Sequence, residues 1–130
     1  ATIFTRIIKG EIPCYKIYED ENYFAFLDIN PLQKGHTLVI PKKEDDYIFN
    51  LDDATYSGLM MTAKKIAAAI KESTNCKRVG VTVLGMEVPH VHIHLVPMNS
   101  EKDMLFSNPK MELSKEEFEA IAADIAKRVK

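Results

Sequence analysis

The run His90-Val91-His92-Ile93-His94-Leu95-Val96 constrains this chain more than any other stretch of it. Imidazole and aliphatic side chains alternate there with a period of two, which predicts a β-strand over residues 88–96. All three histidines then project from one face of the strand, and Val91, Ile93 and Leu95 from the other. A slip of one residue in pairing would exchange the faces, so the aliphatic side is fixed toward a core and the imidazoles are left in a row on a surface or in a cleft. The fold must therefore supply a sheet whose apolar face is covered.

The remaining sequence supplies partners for that strand. Tyr15, Ile17, Tyr18, Tyr23, Phe24 and Phe26 are strand formers split by the acidic turn Glu19-Asp20-Glu21-Asn22, which predicts a hairpin over 14–27. Gly35-His36-Thr37-Leu38-Val39-Ile40-Pro41 reads as a third strand, and 78–84 as a fourth, joined antiparallel to the histidine strand through Gly85-Met86-Glu87. Asp52 and Asp53 can cap a long helix in which Tyr56, Leu59, Met60, Ala63, Ile66, Ala67 and Ile70 recur every three or four residues as a core-packing stripe. Residues 98–110 lack periodicity and read as a surface loop. Ser114-Lys115-Glu116-Glu117 is a capping box, and Phe118, Ile121, Ala122, Ile125 and Val129 form the stripe of a C-terminal helix. The expected fold is α+β: an antiparallel five-stranded sheet with one long helix and a C-terminal helix, in a single domain over 1–130.

Composition narrows the function. A chain of 130 residues with 28% charged and 46% hydrophobic side chains is an ordinary globular sequence with one core. Its net charge of -2 leaves no cationic excess for a phosphate polymer, which excludes polymeric nucleic acid as the expected partner. Cys14 and Cys76 match neither a disulfide framework nor a zinc spacing. No run approaches the ~18 apolar residues of a membrane span. The stretch Ala1-Thr2-Ile3-Phe4-Thr5-Arg6 lacks the apolar centre of a signal peptide, so the cytoplasm is the expected compartment.

Two chemistries compete for the histidine row. A His-x-His pair can offer two nitrogens to zinc, but residues 90 and 94 lie ~13 Å apart along a strand whereas zinc holds nitrogen at ~2.1 Å, so all three cannot share one ion. A neutral imidazole can instead attack phosphorus through one nitrogen while an acceptor holds the other N–H and fixes the tautomer. A neighbouring imidazole can hydrogen-bond the developing phosphate charge or protonate the leaving group. Spacing alone leaves open which histidine is the nucleophile.

The run 90–96 resembles the His-φ-His-φ-His-φ-φ signature of the histidine triad superfamily. Ile3-Phe4-Thr5-Arg6-Ile7-Ile8, Glu11-Ile12-Pro13, Phe26-Leu27-Asp28-Ile29-Asn30-Pro31 and Gly35-His36-Thr37-Leu38-Val39-Ile40-Pro41-Lys42 resemble further family stretches in the same order. The likeness covers residues 1–97, leaving 98–130 as loop and C-terminal helix. It implies a homodimer paired through the long helix and a neighbouring strand. It also implies an enzyme: a nucleoside phosphoramidase that cleaves the P–N bond of purine nucleoside 5′-phosphoramidates, or acts on aminoacyl adenylates, and releases a nucleoside monophosphate.

By the same resemblance His92 is the nucleophile, His94 orients it together with His36, and His90 contacts the phosphate or leaving group. Asp28 receives the ribose hydroxyls, while Phe4, Ile12, Phe26 and Ile29 wall the base slot. The chain departs from the family at Met86, where a phosphate-binding Gln is expected, and its loop is shorter; backbone N–H groups near Gly85 are expected to compensate. Some bacterial members hold a structural zinc, but Thr2, Thr5 and Glu44 occupy those positions, so neither metal nor other cofactor is expected. Dinucleoside polyphosphate hydrolysis or nucleotidyl transfer on the same site is an alternative. A non-catalytic nucleotide-binding regulatory module and a zinc-binding protein are alternatives of other classes.

Overall fold

Alternation within the strands decides how the molecule is layered. In β2 (Tyr23–Leu27), Phe24 and Phe26 enter one apolar cluster while Ala25 and Leu27 enter another. In β3 (Thr37–Pro41), Leu38 and Ile40 join the phenylalanines and Val39 joins the opposite set. A sheet apolar on both faces has to be covered on both.

The computed structural model describes residues 1–130 and has that form. Together with β1 (Lys16–Glu19), β4 (Arg78–Thr82) and β5 (Ile93–Met98), the strands build one antiparallel sheet in the order β1-β2-β3-β5-β4. Two helices, α2 (Asp53–Thr74) and α3 (Lys115–Arg128), cover one face. There Leu59, Ile66, Ile70 and Ile125 meet Val91, Ile93 and Leu95. Each such aliphatic side chain, fully withdrawn from water, contributes about 1.5–3 kcal/mol. The Asp52 carboxylate accepts from Thr55 N–H at 3.3 Å at the head of α2, and the Ser114/Glu117 box closes reciprocally at the head of α3. The expected long and terminal helices, their caps and the hairpin are all present.

The other face is covered by α1 (Ile3–Ile8), a helix that periodicity did not reveal. Six residues are too few for helix propensity to hold alone. Thr2 caps the helix by accepting from Thr5 N–H at 3.1 Å, and Phe4 and Ile7 are buried against Phe24, Phe26, Leu38 and Ile40.

Three further differences bear on the site. The last strand begins at Ile93 rather than at residue 88, because Val91 N–H donates to the Asp45 carbonyl at 2.7 Å instead of to a neighbouring strand. His90 and His92 therefore precede β5, and only His94 stands in it. The segment 98–110 is not featureless: Glu101–Met104 is a 3-10 turn with its own Ser100/Asp103 capping box, and Met111 N–H donates to the Pro31 carbonyl at 2.8 Å, fastening the segment across the site. Finally, β4 is an edge strand, beside which Tyr47, Phe49, Tyr56, Met60 and Leu84 line a hollow of about 350 Å³. No helix is long and apolar enough to cross a membrane.

Candidate active site

His94 is placed by strand register. It pairs with Leu38 across β3 and β5, so its ring projects to the α1 side of the sheet. His36 stands at the entrance to β3, where its carbonyl accepts from Asp28 N–H at 3.0 Å, which brings Asp28 beside it. The His92 and His94 rings lie edge to face at 5.0 Å, and the His36 ring is tilted against His94 at 5.2 Å. The row is not an open one: His90 is fully buried and His92 and His94 are each 7% exposed, because α1 and the segment after β5 close over them.

Hydrogen-bond partners assign the protons. Leu32 N–H donates to His36 Nδ1 at 3.0 Å, so His36 carries its proton on Nε2. That N–H donates to His94 Nδ1 at 3.0 Å, which places the proton of His94 on its own Nε2. His92 Nδ1 faces the His90 carbonyl at 2.7 Å; a carbonyl only accepts, so Nδ1 carries the proton and Nε2 keeps a free lone pair. His90 differs. Its Nε2 donates to the Pro41 carbonyl at 2.8 Å and its Nδ1 meets the Thr2 hydroxyl at 2.8 Å. With both nitrogens engaged inside the protein, His90 does not present one to a phosphate or leaving group, contrary to the role expected from the motif.

Burial keeps His36 and His94 neutral. It lowers the His36 pKa to about 3, with His94 and Lys110 adding to the shift, and lowers that of His94 to about 4, with His92 adding. Asp28 is raised above the ordinary carboxylate value by burial, against the pull of the Asn30 N–H at 2.8 Å. The 3.6 Å approach of Asp28 Oδ2 to His36 Nε2 is therefore not an ion pair, since His36 is uncharged near neutral pH.

The expected apolar walls divide. Phe4 packs edge to face on His92 at 5.1 Å and on Phe26 at 5.5 Å, so Phe4 adjoins the imidazoles and Phe26 supports it. Ile12 is half-buried against the same cluster, whereas Ile29 is 64% exposed beside Asp28. Gly85, with φ +67°, lies beside the Asp46 carbonyl and lines the hollow at β4. Sequence reasoning missed Phe106, whose ring stands edge-on to His94 at 4.9 Å, and Lys110, whose charge reaches Asp28 and His36. Neither carries a pattern; both arrive because the segment after β5 folds back.

Asp28, His36 and His94 offer ligand atoms within 4.8 Å of one another, the group that could hold a metal ion. Two of those atoms are joined by the His36–His94 hydrogen bond, which an ion held at ~2.1 Å from each nitrogen would displace.

The HIT domain model matches residues 9–101 of the chain. An adenosine 5′-monophosphoramidase from Schizosaccharomyces pombe, hnt1, is 36% identical, over 98% of this chain and 98% of its own length. Protein hit from Bacillus subtilis is 34% identical, over 98% and 93%. The crystal structure of a hypothetical histidine triad nucleotide-binding protein from Sulfolobus tokodaii superposes with a TM-score of 0.84 at 30% identity, covering 98% of this chain and 91% of that one. With the motif, the fold and these relatives in agreement, the chain belongs to the histidine triad (HIT) family.

Proposed function

We propose that this chain is a nucleotide hydrolase that works through a nucleotidyl-His92 intermediate and cleaves the P–N bond of nucleoside 5′-phosphoramidates or the P–O anhydride bond of aminoacyl adenylates. The observation that carries the reading is the His92 ring, with Nδ1–H held by the His90 carbonyl at 2.7 Å and the Nε2 lone pair left free. In the first step Nε2 bonds to phosphorus and the bond to the leaving group breaks: P–N in a phosphoramidate, the amine leaving with a proton from water, or P–O in an aminoacyl adenylate, the carboxylate leaving without one. His94, its Nε2–H oriented by His36, donates to a phosphate oxygen as charge develops. Water then attacks phosphorus, His92 departs as the neutral ring, and the nucleoside monophosphate is released. Asp28 accepts from the ribose hydroxyls, and Phe4, Phe26 and Ile29 flank a purine.

A pair of copies is the form we assign to the protein. β4 presents an unpaired strand edge, continuous with exposed Val81, Leu84 and Phe49 around the hollow at Tyr56 and Met60, and a second copy is a self-complementary cover for it. Sedimentation of Val81→Glu against the unaltered chain tests this; equal masses would sink it. The two thiols, neither of them in a disulfide, fit a reducing compartment such as the cytoplasm.

Adenosine 5′-phosphoramidate and, separately, diadenosine polyphosphates test the activity, with nucleoside monophosphate release followed for the unaltered chain and for His92→Ala. Turnover of the phosphoramidate that vanishes in the variant is expected. No turnover of either substrate, or a variant as active as its parent, defeats the proposal; preference for the dinucleotide moves the substrate class.

A further inference from the structure

A network outside the nucleophile's reach accounts for His90. Pro41 supplies a carbonyl to Nε2, so in the neutral ring Nδ1 is an acceptor and the Thr2 hydroxyl donates to it across 2.8 Å. The Thr5 hydroxyl donates to Glu44 Oε1 at 2.6 Å, and the same oxygen accepts from Thr2 N–H at 2.8 Å. Thr2 Oγ1 and Thr5 Oγ1 stand 3.2 Å apart, yet with both hydroxyl protons committed elsewhere none lies between them. Protonation of His90 reverses one bond and adds another. Nδ1 becomes a donor, the Thr2 hydroxyl has to turn away, and Thr5 Oγ1 is the acceptor beside it. The result is an unbroken donor chain from the imidazolium through Thr2 and Thr5 to the Glu44 carboxylate, with every heavy atom where it already stands.

The consequence reaches His92 because the backbone carbonyl of His90 is what holds His92 Nδ1–H. We propose that Thr2, Thr5 and Glu44 are positioning residues that clamp α1 to the His90 ring in either of its protonation states, with the Thr2 hydroxyl as the reversible joint, and so keep the carbonyl that fixes the His92 tautomer in line. The groups facing the ring are few. Glu44 comes from the segment after β3 and His92 from the ring's own segment; Phe4 of α1 and Pro41 of β3 are uncharged. Burial lowers the His90 pKa and His92 adds to that, while the Pro41 carbonyl and Glu44 oppose it.

The kinetic part of this rests on the phosphoramidase reading, so the experiment has an arm that does not. In the full chain, nitrogen-resolved NMR of His90 and His92 is recorded against pH for the unaltered protein and for Thr2→Val, Thr2→Ser and Glu44→Gln, beside kcat and KM for adenosine 5′-phosphoramidate. Neutral His90 is expected to carry its proton on Nε2. Thr2→Val shifts His90 Nδ1 and His92 Nδ1–H and lowers kcat about three- to tenfold at unchanged KM, the scale of one lost hydrogen bond. Thr2→Ser restores both. Glu44→Gln still accepts from Thr5 but lacks charge, so His90 titrates at lower pH. A neutral ring protonated on Nδ1, variants whose His90 resonances and titration match the unaltered chain, or a shifted resonance with unchanged kcat overturns the proposal. If the unaltered chain turns nothing over, the phosphoramidase reading falls and the His92 resonance decides the positioning. If Thr2→Val does not fold, Glu44→Gln decides by its titration.

Discussion

On the α2–α3 side of the sheet, strand and helix residues together form one cluster of 17 buried apolar side chains with no imidazole, whereas on the α1 side the corresponding cluster has six and adjoins the four histidines. The first side is held by burial, which has no preferred direction and scales with area. The second is held largely by hydrogen bonds in which each donor has one acceptor, as in the series from Leu32 through His36 to His94. On the proposed function, stability and chemistry are thus lodged on opposite faces of the same strands. Leu95 and His94, adjacent in β5, answer to different demands.

Exchange of one residue on each face gives the largest contrast. His92→Ala should lower turnover of a phosphoramidate by about 10⁴-fold or more, as removal of a nucleophile does elsewhere. Its loss of stability should be the smaller of the pair. Leu59→Ala, at a wholly buried position of α2, should cost about 2–5 kcal/mol in chemical denaturation and leave kcat per folded molecule unchanged. Reversal of either pattern breaks the division.

Acid should act on the α1 side. With His36 held at about 3 and His94 at about 4, below the ordinary 6.5, the unfolded chain takes up protons that the folded chain refuses. Stability is therefore full above about pH 6.5 and falls as pH drops toward 4, by about 1.4 kcal/mol per pH unit for each ring. Denaturation midpoints at pH 7, 6 and 5 measure the slope, and Leu59→Ala should keep it while shifting the whole curve. A flat profile would show the rings to be solvated. The smallest effect sharpens the helical side: Ser114→Ala removes the cap of α3 and should cost about 1 kcal/mol without altering kcat.

What could be read in advance was what is local. The hairpin around Glu19-Asp20-Glu21-Asn22, the Asp52 cap and the Ser114/Glu117 box each depend on residues within one or two turns of chain, so pattern and propensity suffice. The α1 helix was not legible because Phe4 and Ile7 become a helical stripe only when a sheet lies beneath them. The alternation at 90–96 correctly separated Val91, Ile93 and Leu95 from the imidazoles, but could not tell that the opposite face would be roofed. The strand start was misplaced for a comparable reason, since Asp45, 46 positions earlier, takes the Val91 N–H. Phe106 reaches His94 by a fold-back that no local pattern encodes.

The strand order β1-β2-β3-β5-β4 has a consequence for how the site comes into being. The β1–β2–β3 meander and the β4–β5 pair each join neighbours in sequence, whereas β3 and β5 are separated by the whole of α2 and β4. Loop closure over that distance is the costly event in assembling the sheet, and His36 on one side of the seam meets His94 on the other only when it has happened. The imidazole pair is thus a latch across the one seam of the sheet that joins strands distant in sequence, and on the proposed function the return of activity on refolding records that seam closing.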